Sequence, residues 1–285
     1  MTPRIKAARA SDDIAAKVRV PSRIRAGTGG WTYAPWRDNF YPAGLVQRRE
    51  LEYASRHVTA IEINGTFYGA QKPASYAAWR AQTPDGFVFS LKAPRYATER
   101  KELASAGSTV KGFVFGGLAE LGDRLGPINW QLPEKKRFER DDLAAFFDLL
   151  PRELNGAPLR HVVEVRDASF ADPAYVELAR SHNVATVFTD SPEYPSFADV
   201  TGDFVYARLR CCESEIPTGY TPAALDAWAR RAREWMRGQD PDDLPRVAPA
   251  QRAPAAERDV FVYFINGAKE RAPAAAMALL DRIQE

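Results

Sequence analysis

Short apolar runs followed by helix-like stretches recur along almost the whole chain, and this alternation restricts the fold more than any other feature of the 285 residues. Eight runs read as strands: 24–28, 58–64, 87–92, 127–132, 161–166, 185–190, 204–210 and 260–266. Most are followed by residues at helical spacing. The clearest case is "TPAALDAWARRAREWMRG" (221–238). There Thr221 is a cap, Pro222 suits the first helical position, Leu225, Trp228, Ala232 and Trp235 recur on one face, and Gly238 ends the run. Stretches at 45–55, 74–81, 141–150, 173–181 and 272–283 read the same way. Strand-then-helix repeated about eight times is the pattern of an α/β chain closed into a (β/α)8 barrel of the TIM type, with an open doubly wound sheet as the competing architecture. The expectation is a single barrel domain over 24–285 behind a polar tail at 1–23. Two segments interrupt the repeat: "TERKELASAGSTVKG" (98–112), a candidate cover for one end of the barrel, and 238–258, rich in Pro, Ala and charge, which reads as a surface excursion without packed structure.

The strands carry a second signal. Strands of a parallel barrel are usually apolar on both faces, because helices cover the outside and side chains fill the inside. Here several alternate. Glu62 and Asn64 oppose Ile61 and Ile63; Ser90 and Lys92 oppose Phe89 and Leu91; Asn129 and Gln131 oppose Ile128 and Trp130. Glu164 and Arg166 oppose Val163 and Val165, Tyr206, Arg208 and Arg210 oppose Ala207 and Leu209, and the eighth run ends on Asn266. An antiparallel sheet with one wet face gives the same alternation, but helices interleaved between the strands argue against it. The polar face is therefore expected to point into the barrel, with its charges at the C-terminal strand ends where barrel enzymes build their sites.

Buried charges must pair with each other or with a ligand. The candidate anions are Glu62, Glu164 and Asp190; the candidate cations are Lys92, Arg166, Arg208 and Arg210, with Asn64, Gln131 and Asn266 as neutral donors and acceptors. Cations outnumber anions, which suggests an anionic ligand, phosphate or carboxylate; a purely structural Glu–Arg lattice is the alternative. Aromatic residues in "GTGGWTYAPWRDNFY" (27–41), Trp31 among them, together with Phe67, Tyr68 and Tyr96, are candidates to line the mouth, although ordinary loop packing accounts for many such clusters. None of the three histidines falls at a strand C-terminus, so no His-rich metal site is expected, and no cofactor is called for. A net charge of +2 gives no broad basic footprint for nucleic acid. No apolar run reaches the length of a membrane helix, the N-terminal stretch lacks a secretory signal's apolar centre, and the adjacent Cys211 and Cys212 read as reduced thiols, so a cytoplasmic protein is expected.

In this order, "GTGGW", "AIEINGTFY", "FVFSLKAPRYAT", "LGPINWQLP", "VEVRDASF" and "YARLR" resemble the YecE-like family, domain of unknown function 72, from about Arg25 to the C-terminus. The resemblance implies a TIM-type barrel and supplies no activity; the barrel is broadly similar to metal-dependent endonucleases and sugar isomerases at the level of fold only. Glu62, Asn64, Thr66, Phe67, Tyr68, Lys92, Gln131, Glu164, Arg166 and Arg208 stand at motif positions. Where the family often carries histidines, this chain has Asp167, Glu99 and Arg210.

Three functional expectations follow. The first is a metal-independent cavity for a small anionic, sugar-like ligand. In it Lys92, Arg166 and Arg208 clamp the anion, Asn64, Gln131 and Asn266 orient hydroxyls, Trp31 and Tyr68 line the mouth, and Glu62 or Glu164 acts as base if there is chemistry. The second is a nucleic-acid-binding or phosphodiesterase-like protein. The third is a glycoside hydrolase using Glu62 and Glu164, against which Arg166 counts because it would hold a neighbouring carboxylate ionised. Oligomeric state is not legible.

Overall fold

The computed structural model describes residues 22–284, so the tail expected at 1–23 lies almost wholly outside the described residues. Eight parallel strands close into a barrel: β1 (Ile24–Gly29), β2 (Ala60–Ile63), β3 (Val88–Lys92), β4 (Leu125–Gln131), β5 (His161–Glu164), β6 (Ala185–Thr189), β7 (Phe204–Leu209) and β8 (Asp259–Phe264). Each strand pairs with its neighbours in sequence, and β1 closes on β8 through the register Ile24↔Val260 to Thr28↔Phe264. Every strand lies within one of the eight expected runs except β1, which ends one residue later, β4, which starts two residues earlier, and β8, which starts one residue earlier.

Among the described residues seven helices of eight residues or more pack around the outside: α1 (Glu50–His57), α2 (Pro73–Gln82), α3 (Gly107–Phe115), α4 (Arg140–Asp148), α5 (Pro173–Ser181), α6 (Pro222–Met236) and α7 (Ala272–Gln284). Helix α6 follows its sequence pattern closely. The Thr221 hydroxyl accepts from the Ala224 N–H, Pro222 occupies the first turn, and Leu225, Trp228, Ala232 and Trp235 are buried. Burying each large side chain of that stripe contributes about 1.5–3 kcal/mol.

Two segments depart from expectation. The stretch at 98–112 is not a loop over the barrel end: it leads into α3, which buries Val110, Phe113 and Val114 and supplies the missing β3–β4 helix. The stretch at 238–258 has no helix or strand, yet it is packed in part. Leu244 and Ala248 are buried, and the Asp199 carboxylate accepts the backbone N–H groups of Val247 and Ala248 at 2.7 and 2.9 Å. Asp199 belongs to the β6–β7 connection, which carries no helix.

The period-2 alternation is realised as two separate apolar layers. Ile61, Phe89, Leu91, Ile128, Trp130, Val163, Ala207 and Leu209 face the helices. A smaller inner cluster holds Ala60, Val88, Val162, Ala185, Phe204, Tyr206, Phe261 and Tyr263. These inner residues fill the N-terminal part of the barrel, and the Glu62, Glu164 and Arg208 side chains lie above them. On β1 the inner positions after Arg25 are glycines for lack of room: a Cβ on Gly27 would sit 1.7 Å from the Ala60 carbonyl oxygen, and one on Gly29 would meet the Asn64 amide at 2.7 Å.

Candidate functional site

At the C-terminal part of the barrel one guanidinium ties three non-adjacent strands together. Arg208 on β7 donates through Nη2 to Glu62 on β2 at 3.0 Å and through Nη1 to Glu164 on β5 at 2.5 Å. The phenol of Tyr206, two residues earlier on β7, donates to the other Glu62 oxygen at 2.6 Å. Asn129 on β4 donates to Glu164 at 3.2 Å, and Arg166 just beyond β5 donates to Glu164 at 3.0 Å and to the Gln131 amide oxygen at 2.8 Å. Ser90 and Tyr263 hydrogen-bond at 2.6 Å below this layer. The expected polar interior is thus present, and its charges pair with one another across the axis.

The electrostatics follow from that geometry. Burial pushes the Glu164 carboxyl up, but Arg208, Arg166 and Lys92 outweigh burial and hold it at about 2. Burial raises the Tyr206 phenol, and the neighbouring Glu62 carboxylate raises it further. Arg208 is destabilised by burial yet held firmly charged by the two carboxylates. Both acids are therefore taken up on one cation. A carboxyl held at about 2 cannot protonate a leaving group near neutral pH and is a weak base. Arg208, 2% exposed and with both Nη atoms engaged, is the hub of the network, while its buried Nε finds no hydrogen-bond partner among the described residues.

Lys92 has the opposite character. It closes β3 with 9% exposure, and its Nζ lies 4.1 Å from the centroid of the Phe67 ring. Among the described residues its ammonium enters no ion pair or hydrogen bond. Burial lowers its pKa to about 8, the positive Arg208 and Arg166 adding to the effect and Glu164 and Glu62 opposing it. Three cations, Lys92, Arg166 and Arg208, face two carboxylates, Glu62 and Glu164. The positive surplus rests on Lys92.

The segment "NGTFY" shapes this end of the barrel. The buried Thr66 hydroxyl lies 2.7 Å from the Lys92 carbonyl oxygen and fixes the loop after β2 to the end of β3, which brings Phe67 against the Lys92 ammonium. The Thr98 hydroxyl joins β3 to β4 in the same way, 2.6 Å from the Gln131 carbonyl oxygen. Tyr68 is 75% exposed with the Arg95 guanidinium over its ring.

Asn64 and Trp31 belong to a neighbouring cleft of about 340 Å³ above β1 and β2, which Gln71, Trp79 and Lys269 also line. Trp31 packs edge-on against Trp79 at 5.2 Å. Of the other aromatics in 27–41, Trp36 and Tyr41 are core residues. Asn266 is not brought in: β8 ends at Phe264, Ile265 packs against the inner cluster, and Asn266 is exposed. Asp190 is likewise outside the network. It accepts from the Arg210 N–H and the Tyr220 phenol, each at 2.6 Å, and anchors the β7–α6 loop.

A feature with no sequence signal closes one side of the mouth. Tyr194, in the irregular β6–β7 connection, lies against Arg166 at 4.5 Å and Arg210 at 4.9 Å from its ring centroid. Its phenol donates to Glu134 at 3.0 Å. Glu134 lies 3.9 Å from Arg166 and Glu193 lies 3.4 Å from Arg210, both acids mostly exposed while the arginines are mostly buried.

Among the described residues no three His, Cys, Asp or Glu side chains gather where they could hold a metal ion. His161 is buried at the opposite end of the barrel, where it accepts from the Trp130 indole at 3.0 Å and lies 2.6 Å from the Pro151 carbonyl. The three positions where the family often has histidine do other work: Asp167 accepts the Ser169 N–H at 2.9 Å, Glu99 is exposed near Arg95, and Arg210 stacks on Tyr194. No helix among the described residues is long and apolar enough to cross a membrane.

A closed parallel (β/α)8 barrel with a paired, cation-rich polar layer toward its C-terminal mouth defines the class. Within it, the chain belongs to the family described as "Protein of unknown function DUF72", which matches residues 25–285. A DUF72 family protein from Thermotoga maritima MSB8 superposes with a TM-score of 0.69 at 20% identity, over 92% of this chain and 99% of that one. Another, from Enterococcus faecalis V583, gives a TM-score of 0.62 at 14% identity, over 92% and 98%. At these identities the likeness establishes the shared fold. The UPF0759 protein YunF of Bacillus subtilis (strain 168) is 30% identical over 70 residues, a match spanning 25% of this chain and only 24% of YunF.

Proposed function

We propose that the C-terminal cavity of this barrel binds a small anionic ligand, a phosphorylated or carboxylated sugar-like molecule, through its own side chains. The observation that carries the reading is the Lys92 ammonium: nine-tenths buried, beside two arginines, and without an ion-pair partner among the described residues. Leaving a cation buried and unpaired costs stability, and an arriving anion relieves that cost. Arg166 is the second contact, since its Nη1 is held only loosely, 3.9 Å from the exposed Glu134. Gln131 is positioned beside it, and the Trp31–Asn64 cleft offers apolar and amide surface for an uncharged part of the ligand.

The roles differ from those the sequence suggested. Arg208, Glu62 and Glu164 form the supporting frame, and proton transfer near neutral pH falls to Lys92 and not to Glu164. Two carboxylates sharing one guanidinium also speak against a glycosidase acid–base pair. The test is thermal stability against phosphorylated, carboxylated and neutral sugars, each with and without chelator. Stabilisation by the anions alone, unchanged by chelator, supports the reading; ligand at about 100 times its Kd adds roughly 2.7 kcal/mol. A response to neutral sugars only, or one abolished by chelator, overturns it.

A further inference from the structure

The same lysine has the setting of a reactive amine. It is held at the end of a barrel strand, shielded on one side by Phe67, and the charged groups around it are Glu62, Glu164, Arg166 and Arg208. Both carboxylates are already committed to Arg208, so neither fixes the ammonium in place. An amine used only for charge attraction gains from a carboxylate partner that keeps it protonated; this one is kept apart from such a partner and crowded by two like charges. About half of its population is neutral near pH 8, whereas an ordinary lysine, with a pKa of about 10.4, is less than 1% neutral there.

We infer that Lys92 captures carbonyl compounds covalently as an imine, the substrate class being aldehydes or 2-oxo compounds that carry a carboxylate or phosphate. The neutral Nζ attacks the carbonyl carbon and the carbonyl oxygen takes up a proton, giving a carbinolamine. The nitrogen then loses its remaining proton as the hydroxyl leaves as water. One C=O is replaced by one C=N, one water is released, and no oxidant or reductant is consumed. Arg166 is the group that would hold the anionic end while the carbonyl is presented to Nζ. This inference rests on the anion-cavity reading and adds a chemical step to it.

The experiment treats the full chain at pH 8 with glyoxylate, pyruvate or glycolaldehyde phosphate, in the presence of sodium cyanoborohydride, and maps the reduced adducts by peptide mass spectrometry. The expected result is labelling at Lys92 about tenfold above exposed lysines, with a pH midpoint near 8 and suppression by excess inorganic phosphate. A parallel thermal-shift series with phosphate runs on the wild type and on Lys92→Arg. Phosphate stabilisation of both proteins with labelling spread evenly over surface lysines overturns the imine step and leaves the anion cavity standing. Absence of both labelling and stabilisation overturns the two together. The mapping uses the wild type, so the imine step is decided even if Lys92→Arg does not fold.

Discussion

Arg208 and Glu164 meet across the barrel interior, Nη1 to Oε2 at 2.5 Å, while the other arm of the same guanidinium holds Glu62 at 3.0 Å. Strands β2, β5 and β7 are not neighbours in the sheet, so this contact couples parts of the barrel wall that no backbone ladder joins. Its value to the fold lies mainly in what its removal exposes. Arg208→Met leaves two buried carboxylates without their cation and is expected to destabilise the protein by about 3–5 kcal/mol. Adding Glu62→Gln and Glu164→Gln to the same variant should recover most of that loss. Urea unfolding of the single and triple variants checks the relationship; equal stability of the two would contradict it.

Lys92 should behave in the reverse sense. Its folded pKa of about 8 lies below the ordinary lysine value, so the unfolded chain binds more protons between pH 8 and about 10.4. Stability from this group therefore rises with pH across that window, and its full cost is present below pH 8. Lys92→Met is expected to stabilise the ligand-free protein at pH 7 by about 1–3 kcal/mol and to remove the rise. A residue whose loss stabilises the fold while abolishing binding is a mark of function. Unfolding curves from pH 7 to 10 on the two proteins decide it.

All eight strands and the inward direction of their polar faces were legible in the sequence, because a period of two survives in any strand that separates two different environments. Helix α3 was not, since Gly107, Ser108, Thr109 and Gly112 are poor helix formers and its burial of Val110, Phe113 and Val114 is a tertiary effect. Tyr206 and Asn129 were marked as inward-facing by alternation, but their partners Glu62 and Glu164 lie on other strands; the first contact is set by barrel closure and the second by the β4–β5 register. Asn266 was read as a site residue from its place at the end of the eighth run, but it shares the parity of Val260, Val262 and Phe264, which face the helices, and it is exposed. The split of the cations into a hub, Arg208, and an unpaired group, Lys92, depends on side-chain geometry that residue type does not encode.

His161 gives a separate handle on the lower end of the barrel. It is buried, and burial lowers its pKa to about 4 while the Pro151 carbonyl opposes the shift. With a normal unfolded value near 6.5, the unfolded chain binds the extra proton first as pH falls. Stability is accordingly complete above about pH 6.5 and declines down to about pH 4, by about 3 kcal/mol in all. His161→Gln should be less stable at pH 7 through loss of the Trp130 contact, and flatter between pH 6.5 and 4. An unchanged slope would place the acid sensitivity elsewhere.

Tyr194, Glu134 and Glu193 cover Arg166 and Arg210 at the mouth, and the two acids act there as stand-ins for a ligand's negative charge. Such exposed pairs are worth up to about 1 kcal/mol, so Glu134→Gln is expected to tighten anion binding by up to about fivefold. Tyr194→Ala should act in the same direction and speed association. Titration calorimetry on each variant reads the change; weaker binding would mean that Tyr194 and Glu134 contribute contacts to the ligand and do not compete with it.

The pH dependence of binding tests the central claim most directly. Affinity for a sugar phosphate would be measured by calorimetry from pH 7 to 9.5, where the phosphate, with a second pKa of about 6, keeps a constant charge. The account predicts affinity that falls as pH rises through about 8, the range in which Lys92 loses its proton, and a weak, flat profile for Lys92→Met. Equal affinity in the two proteins, with no dependence on pH, would contradict it.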